Sequence, residues 1–279
     1  MSLKTANELF ERINADYLTA RRELVGRSWL SRDVVSVTVG GGDRRSLAVG
    51  GIRGGDLSVS EFLSELSHRL DGSFSDGSRI GDINVRNLCT AGSIGTVAAL
   101  NPDGLVLRTV GIKEDNPFYG RVRKISPHSS DLGNWEANVR GVTLEGNFNY
   151  RWVDRKIGER TAGIFANAPD GYYGEFPESE LETASLCGYC RKLCPQAVLE
   201  VRRGRKTALV PFSDSESQSA AKVVRAYSGL EIRDDPDGFC GSLSGWATSV
   251  FGCRSAILTL GEGASSEVCM SAVLLFFAV

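Results

Sequence analysis

Histidine is nearly missing from this chain: its 279 residues include two histidines, alongside two methionines and eight prolines. A metal centre built mainly from imidazoles is therefore excluded by count. An excess of charge of either sign is missing too. The 32 Lys and Arg are interspersed with 34 Asp and Glu for a net charge of −2, leaving no basic stripe to follow a phosphate backbone, so nucleic acid is not an expected partner. No apolar run reaches the roughly 20 residues that cross a bilayer. The most apolar stretch, 268–279, reads as a buried terminal helix, and no membrane association is expected. The opening Met1 to Thr5 lacks the apolar segment of a secretory signal, so the mature protein is expected to be as written. Seven cysteines, an odd number scattered through core-like segments, suit a reducing compartment rather than a disulfide framework. The cytoplasm is the expected location.

What is present alternates between helical and strand patterns. Leu9, Phe10, Ile13, Tyr17 and Leu18 recur at helical spacing and predict a helix over 6–24. Two β-branched runs, 34–39 and 46–52, flank Gly40-Gly41-Gly42-Asp43 and read as neighbouring antiparallel strands joined by a turn. A helix is predicted from Ser58, with Ser58 and Glu61 as a capping box, Phe62, Leu63, Leu66 and Leu70 as its buried face, and an end in the Gly/Ser/Asp stretch 71–82. A short strand over 95–100 feeds Asn101-Pro102-Asp103-Gly104, read as a tight turn. Residues 112–152 read as long surface loops around one strand, 139–144. Helices over 178–194 and 215–227 and strands over 197–201 and 255–261 complete an α/β pattern: one mostly parallel or mixed sheet with helices on both faces, in one domain spanning 1–279.

Seven segments, in order, carry a resemblance. Val25-Gly26-Arg27-Ser28-Trp29-Leu30-Ser31-Arg32 is similar to I-G-x-S-x-x-G-R, with Ser31 in place of the glycine; Gly51-Ile52-Arg53-Gly54-Gly55-Asp56 to G-x-H-G-x-E; and Asn101-Pro102-Asp103-Gly104 to N-P-D-G. Asn138 to Phe148 is similar to N-x-R-G-V-D-L-N-R-N-F, Pro177 to Thr183 to P-x-S-E-P-E-T, Leu199 to Gly204 to L-x-H-S-x-G, and Ile257 to Gly261 to T-I-E-x-G. Together they resemble the zinc metallocarboxypeptidases of the carboxypeptidase A family over about 6–263, with 264–279 as a terminal helix. The resemblance implies a twisted, mixed eight-stranded sheet flanked by helices, with the active site at the strand ends. The N-x-R-G-V form looks most like bacterial members acting on peptides or cell-wall fragments.

The same alignment implies that the chemistry has gone. The family's His, Glu and His zinc ligands are replaced by Arg53, Asp56 and Val201, of which only Asp56 has a lone pair to offer a metal. The general-base glutamate is replaced by Thr259, whose hydroxyl is no base near neutrality. Glu262 is a base only in another local alignment. The Asn-Arg pair that grips a substrate carboxylate reads Glu145-Gly146 ahead of Asn147, and the basic anchor after the tryptophan reads Glu136 after Trp135. No catalytic residue, metal ligand or cofactor is therefore expected, although related active enzymes hold zinc. Arg53 either pairs with Asp56 in place of a metal, or joins Arg202 or Arg203 in binding an anion, or is a plain surface arginine. Arg53, Asp56, Glu136, Glu145, Asn147, Arg202 and Arg203 form the candidate cleft.

Other signals have plainer readings. Cys187, Cys190 and Cys194 have C-x-x-C-x-x-x-C spacing, which suits helix packing better than a metal cluster. His68 lies late in a helix, and His128 with Asp131 lies in a polar loop. Gly241-Ser242-Leu243-Ser244-Gly245 mimics a nucleophile elbow, but leucine stands where the serine belongs. The expected function is a non-catalytic metallocarboxypeptidase-like protein that binds a peptide, a cell-wall fragment, a small anionic ligand or a protein partner. A residual zinc-dependent peptidase and a product with no selected function are the alternatives.

Overall fold

A computed structural model describes residues 3–127 and 132–279. Its strands are β1 (Arg21–Arg27), β2 (Asp33–Gly40), β3 (Arg44–Val49), β4 (Arg79–Ile80), β5 (Ile83–Asn84), β6 (Gly92–Val97), β7 (Ala197–Arg203), β8 (Ala208–Pro211) and β9 (Arg254–Leu260). The helices are α1 (Ala6–Ile13), α2 (Leu57–Asp76), α3 (Val85–Ala91), α4 (Pro102–Thr109), α5 (Tyr119–Ile125), α6 (Trp152–Thr161), α7 (Leu181–Leu193), α8 (Ser215–Ser228), α9 (Leu243–Phe251) and α10 (Ser266–Ala278). The main sheet has seven strands in the order β1-β2-β6-β3-β7-β9-β8, and β4 and β5 form a separate ribbon. The central strands β6, β3, β7 and β9 run parallel, while β1, β2 and β8 join antiparallel at the sides. The mixed α/β sheet is as expected, with seven strands rather than eight.

Each face of the sheet has its own core. Ala48, Leu199, Val201 and Leu258 pack beneath α1, α2, α8 and α10, whereas Leu47, Val49 and Val198 pack against Leu186 of α7 and Trp246 of α9. This is the period-two alternation of a strand buried on both sides. Along β7 it decides which residues can reach the second face: Glu200 and Arg202 share it with Val198, and Val201 cannot.

Several local expectations are corrected. The first helix ends at Ile13 and the chain becomes β1 at Arg21, because Asp71 on α2 accepts the backbone N–H groups of Leu18, Thr19 and Ala20 and holds them extended. Strands β2 and β3 are not neighbours: β6 lies between them, antiparallel to one and parallel to the other. The glycines at 40–42 serve a close approach instead of a hairpin, since a Cβ on Gly40 or Gly42 would overlap the backbone near Cys89 and Gly92.

Helix α2 starts at Leu57 with Asp56 at its N-cap, so Ser58 is no capping residue, and it continues to Asp76 before the left-handed Gly77. Asn101-Pro102-Asp103-Gly104 opens α4: the Asn101 side chain accepts the Gly104 N–H at 2.9 Å and Pro102 occupies the first turn, where its missing N–H has no consequence. No strand forms over 139–144. Asn138 Oδ1 accepts the N–H groups of Arg140 and Val142, which satisfies locally what a strand neighbour would. That segment is also buried, with Trp135, Ala137, Val139, Val142, Leu144 and Phe148 all withdrawn from water.

Candidate functional site

At the C-terminal end of β3, Gly50 and Gly51 carry the chain to Arg53, with Gly51 at φ +60, where a side chain would also strike Ser60 and Ala98. The next glycines lie against a loop that carries Glu136. Gly54 N–H donates to the Glu136 carbonyl at 2.9 Å and Gly55 N–H to its carboxylate at 3.0 Å. A Cβ on Gly55 would lie 2.7 Å from Arg108, Arg203 and Glu136 together. A side chain at this position would have to displace the ends of these charged side chains.

The centre of the site is a network of arginines and carboxylates. Arg53 reaches Asp170 at 2.8 Å, Glu136 at 3.5 Å and Glu145 at 3.6 Å. Arg203 meets Glu136 at 2.8 Å, and Arg108 pairs with the same oxygen. Arg202 lies between Glu145 at 3.0 Å and Glu200 at 2.8 Å, and Arg155 approaches Glu145 at 3.7 Å while lying over the Tyr173 ring. Glu200 also accepts the N–H of Ser244 at 3.1 Å, near the start of α9.

Burial works against charge on Glu145, but Arg202, Arg53 and Arg155 outweigh it and hold its pKa below the usual value. Burial likewise works against the Arg202 cation, and Glu145 and Glu200 outweigh it, so its pKa is raised. Arg53 is raised in the same manner, burial being overcome by Glu145, Asp170 and Glu136. These side chains stay charged because each is held by the others.

Asp56 differs. Its Oδ2 accepts the backbone N–H of Arg53 at 3.0 Å, its Oδ1 is buried without a partner, and burial pushes its pKa up to about 7. The expected Arg53–Asp56 side-chain pair is thus replaced by a backbone hydrogen bond, and the Arg53 guanidinium turns to Asp170, Glu136 and Glu145 instead. Arg53 is no idle surface arginine.

The structure brings together Arg53, Asp56, Glu136, Glu145, Arg202 and Arg203. It does not bring in Val201, which is buried on the opposite face in the core that contains Val59 and Leu63. Asn147 stands behind the site, where its amide bridges the Tyr173 carbonyl and the Ser179 hydroxyl and its oxygen accepts the Glu180 N–H. Thr259 pairs in register with Arg202, yet its hydroxyl is committed to the Lys206 carbonyl at 2.9 Å. Sequence reasoning missed Arg108, Arg155, Asp170 and Glu200. Of these only Glu200 had a signal, a carboxylate within the apolar run Ala197-Val198-Leu199-Glu200-Val201.

This donor set does not fit zinc. A guanidinium offers no lone pair, and Glu136, Glu145 and Glu200 already serve arginines. Among the described residues no group of three or more His, Cys, Asp or Glu side chains could hold a metal ion. Beside the network opens a cavity of about 940 Å³, lined by Arg53, Arg203, Arg205, Glu61, Glu65 and Glu262 around an apolar floor.

The remaining motifs are structural. Cys187 and Cys190 are on the buried face of α7, whereas Cys194 lies beyond the helix end in a left-handed conformation, with its thiol on the Arg191 carbonyl. Ser242 caps α9 through Gly245 N–H, and Ser244 donates to the Ala256 carbonyl. His68 stacks on Tyr17, with ring centroids 4.5 Å apart. His128 and Asp131 lie outside the described residues. Among the described residues no helix is long and apolar enough to cross a membrane.

No protein-family model matches the chain. Gamma-D-glutamyl-L-diamino acid endopeptidase 1 of Lysinibacillus sphaericus is 19% identical over 205 residues, covering 73% of this chain and 50% of that protein. The chain spans half or less of the length of the curated relatives it matches. A metallo-carboxypeptidase from Burkholderia cenocepacia is similar in structure with a TM-score of 0.63 at 14% identity, covering 97% of this chain and 66% of that one. The murein-tripeptide amidase MpaA from Escherichia coli O157 is similar with a TM-score of 0.56 at 19% identity, covering 96% and 93%. Likeness at such identities speaks of architecture, and by that measure this chain has the metallocarboxypeptidase-like fold.

Proposed function

We propose that the chain is a non-catalytic metallocarboxypeptidase-like protein that binds a peptide, a cell-wall peptide fragment or a protein partner through its cleft. The observation that carries this reading is Arg53, a fixed cation among Glu136, Glu145 and Asp170 at the strand end where the fold's enzymes do their chemistry. Hydrolysis with zinc needs about three ligands and an open position for water. Guanidinium groups supply neither, and Thr259 supplies no base. The names of two similar proteins, an endopeptidase acting on a diamino-acid linkage and a murein-tripeptide amidase, favour a cell-wall peptide among the possible ligands.

A second reading, a metal-dependent hydrolase, rests on the unpartnered Oδ1 of Asp56. Zinc content after dialysis against micromolar zinc, measured with carboxypeptidase and murein-peptide assays, separates the two. Near-zero zinc with no product is expected. About one zinc ion per chain with release of amino acid would overturn the proposal and establish the second reading.

A further inference from the structure

The cavity beside Arg53 draws charges of opposite sign from two elements. One is the first turns of α2, where Glu61 and Glu65 are four residues apart and so share a face, Glu61 already accepting the Leu3 N–H at 3.1 Å. The other is the turn from β7 to β8, which brings Arg203 and Arg205. Glu262, after β9, lies at the rim, and Leu260, Ala264 and Cys269 supply the apolar floor together with Phe62. Arg203 is spoken for only on one side, by Glu136, and its side chain is 44% exposed. Arg205, Glu65 and Glu262 have no ion-pair partner among the described residues.

This arrangement differs from the neighbouring network, where each arginine lies directly on a carboxylate. Here carboxylates and arginines line one open space of about 940 Å³, the upper end of the size range of small-ligand sites. A purely anionic ligand would meet the α2 glutamates, and a purely cationic one would meet the arginines. A molecule with both charges, separated by an apolar body, satisfies both and covers the floor.

We infer that this cavity receives a short zwitterionic peptide, its free ammonium on Glu65 and its carboxylate on Arg205. The inference rests on the reading of the cleft as a binding site. Charged hydrogen bonds of this kind differ by about tenfold in affinity from their neutral counterparts.

The test is calorimetric titration of the full chain with trialanine, with N-acetyl-trialanine and with trialanine amide, at low salt, together with analysis for cleavage products. Trialanine should bind about tenfold more tightly than either capped form. Glu65→Gln should erase the penalty for acetylation and leave that for amidation, and Arg205→Gln should do the reverse. Arg205 is exposed and Glu65 half-buried, and neither makes an ion pair among the described residues, so both variants should keep the fold. Equal binding of capped and free peptides, or no binding of any, overturns the inference and leaves the non-catalytic reading standing. Tighter binding of the free peptide together with its cleavage overturns the non-catalytic reading and leaves the cavity assignment standing.

Discussion

Arg202 meets Glu145 at 3.0 Å with only 12% and 11% of the two side chains open to water. On its other side it holds Glu200, whose side chain is fully buried. Arg202 is thus the cation on which two withdrawn carboxylates depend, and it is placed there by the alternation of β7, which turns Val201 to the other core.

Removing that cation should be costly. Arg202→Met leaves Glu200 buried without a cation and Glu145 with only its longer contacts to Arg53 and Arg155, and a loss of about 3–5 kcal/mol is expected in urea unfolding at neutral pH. Adding Glu145→Gln and Glu200→Gln should recover most of it. A loss below about 1 kcal/mol for the single variant would mean that water reaches the pair and screens it.

Asp56 and Glu182 should make stability depend on pH in a direction opposite to that of paired carboxylates. Burial raises Asp56 to about 7 from 3.8, and Glu182 to about 8 from 4.5. A raised folded-state pKa contributes stability that is fully present below the unfolded value and is lost as pH climbs through the folded one. Stability curves of wild type and of Asp56→Asn should therefore diverge between pH 4 and 7, the variant gaining relative to wild type as pH rises. Glu182→Gln should show the same divergence up to about pH 8. Parallel curves would show that both groups ionise as they do in water.

Restoring a large residue at Gly146 should fail. A Cβ there would overlap the Tyr173 ring, which lies against Arg155 at 4.6 Å. Gly146→Ala should destabilise by about 1–3 kcal/mol through overpacking, and Tyr173→Ala in the same chain should relieve the overlap. Thermal melting of the single and double variants measures this. Equal melting temperatures for wild type and Gly146→Ala would show that the loop yields without cost.

The thiols should divide by exposure. Cys194 is exposed, while Cys89, Cys187, Cys190, Cys240, Cys253 and Cys269 are buried. A disulfide reagent such as Ellman's should titrate a single thiol in the folded protein and all seven after unfolding in denaturant. Protection of Cys194 would point to an unseen contact or ligand at the end of α7.

The sequence by itself determined the elements whose hydrophobic period is unambiguous: the face of α2 bearing Phe62, Leu63, Leu66 and Leu70, the buried strands around Val198 and Ile257, and the terminal helix. The scarcity of histidine, two residues in the chain, was legible as well, because a residue type is read without any geometry. Strand order was not legible, since β2 and β3 are adjacent in sequence but separated by β6, and hydrogen bonding across a sheet leaves no local mark on the chain. The charge network was legible only in part for the same reason. Arg108, Arg155 and Asp170 look like ordinary polar residues in a row of letters, and only folding brings them from a helix, a second helix and a loop onto Glu136, Glu145 and Arg53. Tertiary structure alone decided that Arg202, not Val201, faces the site, because one residue of register in a strand reverses which side chain meets which face.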